Sequence, residues 1–256
     1  MSRVALVTGG GRGIGRAIAA AFAAEGTDVA IAGRGEEALQ ETAAAIGDAV
    51  RVTTHVCDVG DEAAVAGLFE QVLGEHDRLD VLVNNAAIAG PTAPLAELSI
   101  DDWDEVQRIN VRGAVLCTQQ AARHMVPRGE GAILFLSALG GVRAYPLRLP
   151  YAVSKAALLA VTQTVAAELR PHGISVNALT PGPVSGERLD RVFSRRAEET
   201  GQSVEEVAAA LASKAPAGRF ATEDEVARVA LWLCGPEAEM LVGTSVNITG
   251  GIEIVQ

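Results

Sequence analysis

Lysine is almost missing from this chain. Of its 21 basic residues only Lys155 and Lys214 are lysines, and arginine carries the rest. Positive charge is short overall: the net charge of −11 argues against nucleic acid or an anionic membrane as a partner. Aromatics make up only 4% of the residues against 27 glycines, so close helix packing is favoured over aromatic clusters. Three cysteines, Cys57, Cys117 and Cys234, are odd in number and far apart. They fit reduced, buried thiols of a cytoplasmic protein better than disulfides or a metal site. His55, His76, His124 and His172 show no ligand spacing and read as surface or helix-end residues, so no metal is expected. No run of eighteen apolar residues exists, so no membrane-spanning helix is expected. The apolar stretch after Met1-Ser2-Arg3 leads straight into a Gly-rich turn and lacks the long core and cleavage site of a signal peptide.

What is present is alternation. Apolar runs at 3–7, 29–32, 50–56, 79–83, 132–136, 174–179 and 244–248 read as strands, and their unbroken Val/Ile/Leu character is that of parallel strands buried on both faces. Helical patterns at 14–25, 36–46, 62–75, 101–124, 151–170 and 222–233 lie between them. This predicts one α/β domain over residues 1–256, a doubly wound, mostly parallel seven-stranded sheet of Rossmann type. No linker, repeat or low-complexity block interrupts it. The exception to the alternation is 184–216, a charged insertion with an amphipathic helical pattern through Val192, Val204, Val207, Ala208 and Leu211. Its place at the end of the sixth strand predicts a substrate lid rather than a decorated edge.

The first strand ends in Thr8-Gly9-Gly10-Gly11-Arg12-Gly13-Ile14-Gly15, with a helix at once behind it. Glycines there permit a tight turn and bring backbone N–H groups close to a pyrophosphate. The G-x-G-x-x-G fingerprint is not met, because no glycine stands at position 18; the pattern is T-G-x-x-x-G-x-G. After the second strand, where an acid would bind the ribose of NAD, stands Gly33-Arg34. Arg34 and Arg12 together suit a 2′-phosphate through bidentate, charge-assisted bonds, which points to NADP over NAD. Downstream, Tyr151 and Lys155 are four apart, on one face of a helix. An ammonium beside a phenol favours the phenolate and makes a usable proton donor and acceptor.

With Asp58 after the third strand, Asn84-Asn85-Ala86 after the fourth, then Asn110, Ser137, Tyr151-x-x-x-Lys155 and Pro181-Gly182, these motifs resemble the short-chain dehydrogenase/reductase family over essentially the whole chain. The nearest general likeness is to 3-oxoacyl carrier-protein reductases and related carbonyl reductases. The resemblance implies roles. Tyr151 is the general acid or base, Lys155 lowers its pKa and binds the nicotinamide ribose, Ser137 binds the substrate oxygen, and Asn110 sits in a kinked helix and holds a relay water. Gly9, Gly11, Gly13, Ile14 and Gly15 would carry the cofactor's phosphates, with Arg12 and Arg34 on the 2′-phosphate. Asp58 and Val59 would meet adenine, Asn85 and Ala86 the adjacent ribose, Ala87 the cofactor beside them, and Pro181, Gly182 and Val184 the carboxamide. Two positions depart from the family pattern. Ala87 stands where Gly is usual, and Gly186 stands where Thr is frequent.

The expected activity is therefore NADP(H)-dependent interconversion of a small-molecule carbonyl and a secondary alcohol. Alternatives are an NAD-dependent alcohol dehydrogenase of the same family and a non-catalytic nucleotide-binding regulator; an epimerase or dehydratase of the extended branch would need glycine at position 12. Arg143 and Arg148, between Ser137 and Tyr151, with Arg188, Arg191, Arg195 and Arg196 in the insertion, suggest an anionic substrate group. A salt-bridged surface is the alternative. The helix from Tyr151 is apolar on more than one face, so one face is expected on the sheet and another on a partner subunit, giving a homotetramer or homodimer.

Overall fold

In the computed structural model, which describes residues 2–253, seven parallel strands form the central sheet. They are β1 (Val4–Thr8), β2 (Asp28–Gly33), β3 (Val52–Val56), β4 (Val81–Asn84), β5 (Gly131–Leu136), β6 (Ile174–Pro181) and β9 (Ser245–Ile248). Their order is β3-β2-β1-β4-β5-β6-β9, so the winding reverses between β1 and β4. That reversal is the switch point at which open α/β sheets bind ligands. Period-two alternation divides the core. Ala5, Val7, Val29, Ile31, Val81, Val83 and Leu134 face α1 (Gly13–Ala24) and α9 (Glu223–Leu233). Leu6, Ala30, Leu82, Ile133, Phe135 and Val176 face α3 (Glu62–His76), α5 (Gly113–Met125) and α6 (Leu149–Leu169). A continuous apolar run is what a strand covered on both sides requires.

The helix α2 (Glu36–Ile46) has the bounds the sequence predicts. The single helix expected at 101–124 is instead α4 (Ile100–Gln107), a π turn (Arg108–Arg112) and α5. Such wide turns are frequent at functional sites, and Asn110 lies in this one.

The 184–216 insertion carries α7 (Glu187–Thr200) and α8 (Val204–Ala212). It is tied down by a two-stranded parallel pair, β7 (Val184–Ser185) with β8 (Ala221–Thr222). Its small core is Phe193, Ala197, Val207 and Phe220, with Ala208 and Leu211 packed against it and Val192 and Val204 exposed.

One histidine departs from the sequence reading, because His55 lies buried within β3; His76, also buried, ends α3 and is a helix-end residue as expected. The end of α3 covers edge strand β3 there, and both rings meet the Thr53 hydroxyl at 2.9 Å. The three cysteines are free and buried, and burial pushes the Cys117 and Cys234 thiols up to about 12. By length and composition α6 and its following turn could cross a membrane. Here its Ser154, Lys155, Leu158, Thr162 and Ala166 are buried and it packs on β5 and β6, which is the setting of a domain helix.

Candidate active site

The Gly-rich turn and the end of β4 are built as one unit. The Thr8 hydroxyl donates to Val83 O (3.1 Å) and accepts from the backbone N–H groups of Asn85 (3.0 Å) and Ala86 (3.1 Å). The Asn85 amide donates to Thr8 O (2.9 Å) and Gly9 O (3.2 Å). Asn85, expected beside a ribose, thus gives its amide nitrogen to the turn. Gly9 has φ +68°, and a Cβ there would lie 2.8 Å from that nitrogen. A Cβ on Gly15 would collide with Gly9 O. Gly10, which the sequence reading did not single out, is held against Ile31, where a Cβ would lie 2.8 Å away. Arg16 was also missed. It donates from Nη2 to Gly11 O (2.9 Å) and from Nε to Thr42 Oγ1 (3.0 Å), fastening the turn to α2.

On the adenine side of the expected cleft, Arg12 and Arg34 are exposed. Asp58 accepts from Gly60 N (2.9 Å) and from Arg108 Nη2 (2.8 Å), while Arg108 also clasps Glu105 at 2.6 Å. Burial pushes the Asp58 carboxyl up, but the hydrogen bonds from Arg108 and Gly60 outweigh it and hold the group below its ordinary range. Arg108 escaped the sequence reading, since its partner lies 50 residues away. Val59 is buried against Gly113, where a Cβ would lie 2.7 Å from its Cγ2.

At the other end of the expected cleft, Asn110, Ser137, Tyr151 and Lys155 are all buried and come together around the C-terminal end of β5. Lys155 Nζ donates to Leu136 O at 2.7 Å and lies 5.8 Å from the Tyr151 ring centroid. The Ser137 hydroxyl donates to Lys155 O at 2.8 Å. The Asn110 amide is held by Ile88 on both sides, accepting from its N–H (2.8 Å) and donating to its C=O (3.0 Å), and it donates to Ser154 Oγ at 2.9 Å. Ser154 in turn donates to Tyr151 O at 2.8 Å, so Asn110 reaches the tyrosine's backbone through one hydroxyl.

A family model described as Enoyl-(Acyl carrier protein) reductase matches residues 9–253. The chain is 37% identical over 254 residues to a sorbitol dehydrogenase of Cereibacter sphaeroides, covering 97% of this chain and 96% of that one. The chain belongs to the short-chain dehydrogenase/reductase family. It is an oxidoreductase acting on CH–OH and C=O groups. Among solved structures it superposes on an NAD+-bound xylitol dehydrogenase with a TM-score of 0.91 at 32% identity, covering 97% of this chain and 98% of that one. An actinorhodin polyketide ketoreductase variant holding NADPH gives 0.93 at 33% identity, covering 98% and 97%.

Two positions at which this dehydrogenase departs from the family pattern have a local setting. Ala87 is exposed, so its methyl has room. Gly186 adopts φ +150°, a conformation that side chains rarely enter, and it caps α7. Gly182 sits hard against Thr249, whose Cα would lie 3.0 Å from a Cβ there. Pro181 ends β6 and Val184 opens β7. Of the arginines expected to form an anion cluster, the three with described side chains each have partners of their own. Arg143 donates to Ile252 O (2.7 Å) and Arg191 pairs with Glu187 (3.7 Å). Arg148 donates to Thr92 Oγ1 (2.9 Å) and Ala89 O (2.8 Å) and lies 5.8 Å from the Tyr151 ring centroid. The side chains of Arg188, Arg195 and Arg196 lie outside the described ones.

Proposed function

We propose that this protein interconverts a carbonyl and a secondary alcohol with NADP(H), using Tyr151 as proton donor and acceptor. The observation that carries the reading is the buried grouping of Tyr151, Lys155, Ser137 and Asn110 at the sheet's C-terminal edge. When bound, a nicotinamide dinucleotide supplies or accepts the hydride. The Gly9–Gly15 turn, tight enough that an added Cβ at Gly9 or Gly15 meets backbone or Asn85, suits close approach of its phosphates. Asp58 and Val59 would flank adenine, Asn85, Ala86 and Ala87 the ribose, Tyr151 and Lys155 the second ribose, and Pro181, Gly182 and Val184 the carboxamide. In reduction Tyr151 gives its phenolic proton to the oxygen of the carbonyl as negative charge develops there, and in oxidation it takes one back. Lys155 donates to Leu136 O and brings positive charge beside the ring. The single Ser137 proton is given to Lys155 O, so donation to substrate requires the hydroxyl to rotate.

Cofactor choice rests on Arg12 and Arg34, exposed where a 2′-phosphate would lie. Replacing both with Ala is expected to weaken NADPH binding about ten- to a hundredfold while NADH binding stays nearly constant. Equal loss for both dinucleotides in a binding titration would refute the assignment. An anionic substrate group has its best remaining support in Arg148, the arginine beside Tyr151. The deciding assay follows reduced-nicotinamide absorbance, with NADPH and NADH side by side, over neutral and anionic ketones and their alcohols. NADPH preference with anionic compounds supports both arginine readings; turnover of neutral ketones alone removes Arg148 from substrate binding.

Assembly enters through α6, whose Val153, Ala156, Ala160 and Ala167 are exposed opposite its buried face. A homotetramer or homodimer covering this face is expected by size-exclusion with light scattering, and a monomeric mass would refute it.

A further inference from the structure

Three helices begin around one carboxylate. α1 starts at Gly13, α7 starts at Glu187 behind its cap Gly186, and α9 starts at Glu223 itself. The β7–β8 register sets Val184 against Ala221 and Ser185 against Thr222, so the next residues, Gly186 and Glu223, leave the pair side by side. A Cβ on Gly186 would fall 2.5 Å from Glu223 Oε1. A Cβ on Gly13, which has φ +58°, would fall 3.5 Å from the same oxygen. Two glycines in backbone conformations that side chains avoid thus make room for one carboxylate oxygen. Gly13 belongs to the turn that the dehydrogenase reading gives to the dinucleotide's pyrophosphate. Helix starts present unpaired N–H groups and the positive end of the helix dipole. Glu223 is the anion that the chain itself places at this junction.

We propose that Glu223 sets dinucleotide affinity: its carboxylate occupies the junction beside Gly13 and repels an incoming pyrophosphate until it is neutralised or turned aside. The proposal rests on the dehydrogenase reading. The charged groups facing Glu223 are Arg16 from α1, which attracts it, and Glu187 from α7 and Asp224 on its own helix, which repel it. Burial comes first among the influences and pushes the Glu223 carboxyl above the ordinary glutamate range. Protonation, which removes the repulsion, therefore sets in at higher pH than for an exposed glutamate.

The test is titration of wild type, Glu223→Gln, Glu223→Ala and Asp224→Asn with NADPH and with NADH, read by fluorescence of the bound reduced nicotinamide. It is run from pH about 5 to about 8, a span that covers the titration of a raised glutamate. At neutral pH both Glu223 variants are expected to bind both dinucleotides on the order of three- to tenfold more tightly than wild type. The wild-type curve should merge with that of Glu223→Gln as the pH falls. Asp224→Asn makes the same change in net charge at an exposed position and should leave affinity unchanged. Glu223 variants that bind no tighter, or an Asp224→Asn effect of equal size, would overturn the assignment while leaving the dehydrogenase reading intact. A wild type that binds neither dinucleotide would instead sink that reading, and this one with it.

Discussion

Tyr151→Phe is expected to lower kcat by about a hundred- to ten-thousandfold, the range a positioned proton donor contributes, and to leave the dinucleotide Kd within about twofold. The substitution removes one oxygen and keeps the ring. Three contacts are made by the ring itself, which phenylalanine keeps: Tyr145 edge-on at 6.4 Å between centroids, Arg148 Cζ at 5.8 Å and Lys155 Nζ at 5.8 Å. The pocket wall therefore stays in place when the hydroxyl leaves. Substrate binding loses one hydrogen bond of two, because Ser137 remains, so the damage should fall on kcat more than on KM. A loss of dinucleotide affinity as severe as the loss of turnover would mean that Tyr151 holds the site together rather than moving a proton. Stopped-flow measurement of the hydride step, with Kd taken from the same fluorescence signal, separates the two outcomes.

The fold was legible because each strand carries its own evidence. A segment such as Val4-Ala5-Leu6-Val7 has no polar face to offer solvent, so it must lie between two layers, and β1 is buried along its full length. The Tyr151-to-Lys155 pair was legible because both residues sit on one face of one helix and need no distant information. What escaped the sequence is what depends on distant contacts. Arg108 reaches Asp58 across 50 residues, and Arg16 fastens Gly11 to Thr42. The π turn around Asn110 was expected as a kink through the family resemblance alone, while the helical pattern of the residues ran unbroken through it. Edge-strand burial is another such case. His55 reads as a surface residue until α3 is laid over it, where Gln71 and the Thr53 hydroxyl pair its ring and Thr53 also meets His76.

Asp80→Ala should produce the largest loss of stability with no change in cofactor or substrate affinity. Asp80 lies at the N-terminal edge of the sheet, away from the strand ends that carry the site, and is 6% exposed. One of its oxygens accepts from Val4 N (2.8 Å) and Arg78 Nε (2.7 Å), and the other from Arg78 Nη2 (2.6 Å) and Arg128 Nη2 (2.7 Å). Arg128 continues the network to Leu79 O (2.8 Å) and His124 Nε2 (2.9 Å), so one carboxylate joins β1, β4 and the end of α5. Removing it leaves two guanidinium groups beside each other, with the exposed Glu130 still pairing both, and a buried N–H without its acceptor. The arginine side chains are 27% and 23% exposed, and water screens part of that charge. The cost is therefore about 3 kcal/mol, near the lower end for breaking a buried pair, and the Tm should drop by roughly 5–10 °C. Burial pushes the Asp80 carboxyl up, but the bonds from Arg78, Arg128 and Val4 outweigh it and hold the group below its ordinary value of 3.8. A carboxyl depressed in this way contributes its full stability above 3.8 and loses it as the pH falls toward the folded-state value. Wild-type stability should thus decline through that acid window, and Asp80→Ala should flatten the decline while lowering the neutral plateau. An unchanged acid limb in the variant, measured by urea unfolding at stepped pH, would show that the carboxylate is not what couples these strands.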